Sequence, residues 1–70
     1  MAEQIRKALA ILRRRQVEVR TGLGRSTIYD GVRAGTFPAP VRIGARAVGW
    51  IETEVEAWLI AQVERSRKSA

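Results

Sequence analysis

The sequence predicts a small fold, mainly α with one β-hairpin, arranged as a winged helix-turn-helix. Three observations carry this. A glycine at position 22 stops one short helical stretch, and after three intervening residues Ser26 opens another. The second stretch, 26–34, is apolar at Ile28 and Val32 and polar or cationic elsewhere. Beyond Pro38 and Pro40 come two short alternating runs, 41–43 and 48–50, separated by Gly44-Ala45-Arg46-Ala47, which is hairpin patterning.

Seventy residues make one domain, near the lower limit at which a single apolar core folds without a staple. The chain has no cysteine, so disulfides supply nothing, and with no histidine either it has no ordinary zinc ligands, no thiol chemistry and no imidazole base. No cofactor, metal or catalytic residue is expected. No apolar run approaches the roughly 20 residues of a membrane span, and no apolar block of a signal peptide opens the chain, so the cytoplasm is the expected compartment.

The formal charge of +6 is unevenly placed. Residues 4–50 hold ten Lys or Arg and two acids, whereas residues 52–64 hold four Glu and no base. One part of the chain attracts a polyanion and another repels it. A membrane-surface role calls for a basic amphipathic helix, but here the charge spans a turn, a helix and a hairpin. Nucleic acid is the better partner.

In chain order, residues 3–13 are rich in helix formers, with Ile5, Ala8, Leu9 and Leu12 at helical spacing, which predicts an N-terminal helical arm over 1–13. Three adjacent arginines at 13–15 cannot share one helix face, and at least one of them, Arg15 above all, is placed to reach phosphate. The first helix of the pair is expected over 15–21, burying Val17 and Thr21 with the stem of Arg20 alongside, and Leu23 packs back on the core. Ser26 has the chemistry of an N-cap for the second helix. Burying Ile28 and Val32 turns Arg25, Ser26, Thr27, Asp30 and Arg33 outward, with Tyr29 on the flank. These types suit a major groove, where arginine reads guanine, serine and threonine bond base edges or phosphate, and aspartate accepts from the cytosine amino group.

Gly31 costs the second helix about 1 kcal/mol relative to alanine, which close approach of the first helix or of DNA backbone would explain. Gly35 ends that helix, the prolines extend the connection, and Phe37 closes one end of the core. In the hairpin, Val41, Ile43, Val48 and Trp50 are expected inward, and Arg42 and Arg46 outward or at the tip, as a wing at the minor groove or phosphate. Thr53 and Glu56 have capping-box spacing for a last helix whose inner face is Ile51, Val55, Trp58, Leu59 and Gln62. The carboxylates Glu52, Glu54 and Glu56 have no base or nucleophile beside them and suit the positive end of that helix instead. These signals place the DNA-binding domain at 14–64 and a disordered basic tail at 65–70.

The motifs at 21–29, 35–44, 46–50 and 54–59, in that order, resemble the AlpA family of small phage-type regulators, related to excisionases and to the MerR-like winged helix-turn-helix. The resemblance implies a sequence-specific double-stranded DNA-binding protein of a prophage or integrative element, acting as a transcription regulator, as an excisionase, or as both. Carried residue by residue, it implies a recognition helix over 26–33 and a wing over 42–47. It also implies self-association on DNA and, for an excisionase, a site-specific integrase as partner. Two positions depart from the family pattern. Asp30-Gly31 stands where a basic and then an apolar residue are frequent, and Arg14 stands where an apolar one is common. The second departure leaves Ile5, Leu9 and Leu12 for a neighbouring protomer. The reading from another class is an antitoxin-like interaction module with weak DNA binding, built on that N-terminal apolar stripe.

Overall fold

The structure, a computed structural model, describes residues 10–69. Its elements are β1 (Ile11–Leu12), α1 (Arg14–Thr21), α2 (Arg25–Ala34), β2 (Val41–Arg42), β3 (Val48–Ile51) and α3 (Glu52–Ser69). The winged helix-turn-helix is present: α1 and α2 form the helix pair, and β2 and β3 the wing. The expected N-terminal arm lies mostly outside the described residues, Ile5, Ala8 and Leu9 included. Its last part is not helix, because Ile11 and Leu12 pair antiparallel with β3, opposite Ile51 and Trp50. Leu12 is thereby drawn into the core, 4% exposed, and is not left for a neighbouring protomer. Helical spacing at 9 and 12 was a weaker constraint than an open strand edge beside Trp50.

The turn between α1 and α2 is closed by side chain and backbone together. Thr21 donates its hydroxyl to the Val17 carbonyl at 2.8 Å and accepts the Leu23 N–H at 3.2 Å, while the Gly22 N–H reaches the Glu18 carbonyl at 2.8 Å. Gly22 sits at φ 73, which a Cβ would strain. The residue flanking α2 is Gly24, in extended conformation, so the helix starts at Arg25 and Ser26 is inside it. Ser26 is therefore not the N-cap expected of it: the turn from Gly22 needs only two further residues before helical geometry resumes, one fewer than the spacing to the serine suggested.

The sheet has the order β1-β3-β2, all antiparallel, with Val41 opposite Gly49 and Arg42 opposite Val48. Cross-strand partners share a face. Arg42 thus stands on the side of Val48, not on the opposite side from it, and the expected inward row breaks up. Trp50 is fully buried, whereas Ile43 and Val48 are 45% and 39% exposed. A Cβ on Gly49 would strike the Ile11 side chain and lie 3.0 Å from the Leu12 carbonyl oxygen, so this glycine lets β1 close on the hairpin.

Leu12, Val17, Ile28, Phe37, Trp50 and Val55 form the buried core, with Leu23, Tyr29, Val32, Trp58 and Leu59 packed against it. Two indoles fix the connection from α2 to the wing. The Trp50 Nε1–H donates to the Pro38 carbonyl at 2.8 Å, and the Trp58 Nε1–H to the Thr36 carbonyl at 2.6 Å. Phe37, between those carbonyls, meets the Trp58 ring edge-on at 4.7 Å. Helix α3 starts at Glu52, one residue before the expected Thr53 cap, because it leaves β3 without a loop, and the Glu52 N–H donates to the Ala10 carbonyl at 2.8 Å. It runs on through residues 65–69, where a disordered tail was expected, with Arg67 and Lys68 in its last turn opposing the helix dipole.

Gly31 is explained by neither expected cause. A Cβ there would lie 2.8 Å from the Phe37 Cβ, while the Gly31 carbonyl accepts the N–H groups of Thr36 and Phe37 at 2.9 and 3.1 Å. The chain leaving α2 folds back over this residue. Gly31→Ala should therefore lower stability by about 1 kcal/mol, the contact outweighing the gain in helix propensity. A thermal melt checks this: the melting temperature should fall by several degrees, and a rise would contradict the packing described.

Candidate nucleic-acid interface

Helix α2 turns Ile28 inward at 0% exposure and presents Arg25, Ser26, Thr27, Asp30 and Arg33 to solvent. Every member of the outward set read from the sequence is exposed, together with Ala34 at the end of the helix. Within it the Arg33 Nη2 donates to the Asp30 Oδ1 at 2.7 Å, with side chains 77% and 69% exposed. Asp30 thus holds Arg33 through one guanidinium nitrogen and leaves the others without an ion pair among the described residues. An exposed pair of this kind contributes little to stability, but it restricts where the arginine points.

Tyr29 lies differently from its neighbours. It is half-buried, its ring 6.1 Å from Trp50 and tilted by 58°, and it forms one wall of a cleft beside α2. The cleft has a volume of about 300 Å³ and is lined by Arg13, Arg14, Arg15, Tyr29, Arg46, Val48 and Trp50. Three separate segments contribute: the start of α1, the flank of α2, and the tip and second strand of the hairpin. Arg15, Tyr29 and Arg46 of the sequence-derived set are brought together here, whereas Arg42 lies outside the lining and Arg25, Ser26, Thr27, Asp30 and Arg33 occupy the adjoining helix face.

Of the 13–15 run, the sequence singles out Arg15 alone as a DNA contact, and Arg13 and Arg14 join it in the cleft lining. Their place follows from the start of α1, where the Arg13 N–H donates to the Gln16 Oε1 at 2.8 Å and helix begins at Arg14. The spacing from residue 13 to Gln16 was the available signal, since a glutamine three residues on reaches back to the residue before a helix. The positive end of the α1 dipole adds to the arginine charge there.

The cations divide by their partners. Arg14 pairs with Glu18 one turn on, and Arg20 pairs with Glu52 at 2.7 Å and Glu56 at 3.9 Å, which ties the end of α1 to the start of α3. Arg13, Arg15, Arg25, Arg42 and Arg46 make no ion pair among the described residues. Among the described residues no acid lines the cleft, and Glu52, Glu54, Glu56 and Glu64 all belong to α3. The molecule therefore carries a cationic cleft and helix face on one set of elements and its carboxylates mainly on another. Such a division attracts a polyanion in one orientation. Among the described residues no cluster of three metal-ligating side chains occurs, and no helix is long and apolar enough to cross a membrane.

The profile of a family described as prophage CP4-57 regulatory protein (AlpA) matches residues 10–63. The chain is 42% identical over 60 residues to the DNA-binding transcriptional activator AlpA of Escherichia coli (strain K12), covering 77% of this chain and 86% of that one. It is also 45% identical over 42 residues to the uncharacterized protein ORF88 of Enterobacteria phage P4, covering 60% of this chain and 48% of that one, so it spans about half the length of that relative. The family match takes in both helices of the pair, the whole sheet and most of α3. The chain belongs to the AlpA family of prophage regulatory proteins.

Proposed function

We propose that the chain is a sequence-specific double-stranded DNA-binding regulator of a prophage or integrative element, with α2 in the major groove and the cleft of Arg13, Arg15 and Arg46 on the phosphate backbone beside it. The convergence of arginines from α1 and from the hairpin tip on one cleft flanking α2 carries this reading. A major groove admits a helix, and the backbone on either side must be held for that helix to keep its register. Arg33, held by Asp30, reads guanine, and Arg25, Ser26 and Thr27 bond base edges or the near phosphates. Tyr29 supports the cleft from Trp50, and Arg42 lies along the wing toward the minor groove or phosphate. Transcription control is the favoured role because the E. coli relative is a transcriptional activator by description.

An excisionase would use the same surface at an attachment site, beside an integrase, so the two roles differ in the DNA bound and not in the contacts. A single small domain reads few bases, and useful specificity comes from several copies on repeated sites. The interaction-module reading is weaker, since Leu12 of its apolar stripe is buried in the core.

Two predictions follow the division between base and backbone contacts. Arg33→Ala should relax sequence preference, costing about 1–3 kcal/mol on the preferred duplex and little on random duplex, whereas Arg46→Ala should weaken binding to all duplexes about equally. Competition binding with both variants checks this, and parental binding by both would refute the assignment of elements. With about six phosphates contacted, log affinity should fall with log salt at a slope near −5. A salt titration giving a slope close to zero would contradict a backbone-held complex.

A further inference from the structure

Among the described residues, helix α3 carries an apolar stripe that is left exposed. Val55, Trp58, Leu59 and Gln62 face the core or its margin, but Ile60 and Val63 are 58% and 47% exposed. Among the exposed large apolar residues described, these two lie within one turn of each other on a single helix. At 100° per residue, positions 56, 60, 63 and 67 fall within about 60° of one another, so Glu56, Ile60, Val63 and Arg67 form one line along α3. All four are exposed.

That line is complementary to itself when reversed. In a second copy running antiparallel, Ile60 lies on Val63 and Val63 on Ile60, while Glu56 meets Arg67 at both ends of the contact. We infer that α3 pairs antiparallel with α3 of a second copy of this chain, forming a two-fold dimer centred between Ile60 and Val63. Charge complementarity selects the occupant: a parallel pair would set Glu56 against Glu56 and Arg67 against Arg67 at opposite ends. Glu56 keeps an oxygen for this, since Arg20 makes its short contact with Glu52 and stands 3.9 Å from Glu56. None of these residues lines the cationic cleft, so pairing leaves the proposed DNA surface open.

The contact is one helix against one helix, below the usual size of a tight interface, and a dissociation constant of about 10–100 µM is expected. A two-fold pair is isologous, so where both protomers hold one duplex the half-sites are inverted and not direct repeats. The inference stands apart from the DNA reading, and its test needs no DNA.

Sedimentation equilibrium of the whole chain over about 5–500 µM should show monomer and dimer in exchange. Glu56→Arg and Arg67→Glu should each weaken the dimer about tenfold, since the two-fold makes each reversal count twice, and the double variant E56R/R67E should restore it. Circular dichroism melts establish that each variant keeps its fold, and Val63→Glu, at an exposed position outside the Arg20 pair, should abolish the dimer without unfolding the chain. A parent that stays monomeric throughout, or a double variant as weak as the singles, overturns the pairing.

Discussion

Two indole N–H groups hold the connection on which the placement of everything else depends. Trp50 donates to the carbonyl of Pro38 and Trp58 to that of Thr36, so strand β3 and helix α3 both grip the extended segment leaving α2. Prolines at 38 and 40 keep that segment from coiling, and Phe37 anchors it in the core at 6% exposure. These bonds act with the core packing of Ile28, Phe37 and Trp50 and with the Tyr29–Trp50 ring contact to set the hairpin beside α2. The cleft between Tyr29 and Arg46 exists because Trp50 is at once the floor of the core and a wall of the cleft.

The same economy governs the charges. Arg20 and Glu52 join the end of α1 to the start of α3, and Glu18 holds Arg14, which removes two cations from competition without emptying the cleft. Among the described residues Arg13, Arg15 and Arg46 make no ion pair, so the cleft keeps their positive charge. A polyanion neutralises it. Asp30 is the one acid on the outward face of α2, and its bond to Arg33 turns a mobile cation into an oriented one.

The helix pair and wing were legible because their signals are local. Gly22 and Gly35 stop helices, Ile28 and Val32 mark a buried side, and the prolines separate helix from hairpin. The misreadings lie where a partner distant in sequence decided the outcome. Leu12 reads as helix by spacing, yet β3 captures it as a strand, and the bare Gly49 that permits this has no pattern of its own. Gly31 faces Phe37, six residues on, because the chain reverses between them. Residues 65–69 look like a loose basic tail in composition, but they continue a helix whose first turn carries Glu52 and Glu54 and whose last carries Arg67 and Lys68. At the candidate interface the outward residues of α2 follow from periodicity alone. The cleft does not, since Arg13, Arg14 and Arg46 meet only through the sheet register.

The central claim is that duplex DNA lies on α2 and the arginine cleft and leaves α3 untouched. Titrating labelled protein with its operator duplex and following backbone and indole N–H resonances by NMR tests this directly, because the two tryptophans report on different places. The account predicts that the Trp50 indole, in the cleft wall, shifts along with residues 13–15, 25–33 and 43–48, while the outer face of α3 around Ile60 keeps its positions at concentrations below self-association. Shifts concentrated on α3, with the α2 face and the cleft unmoved, would contradict it.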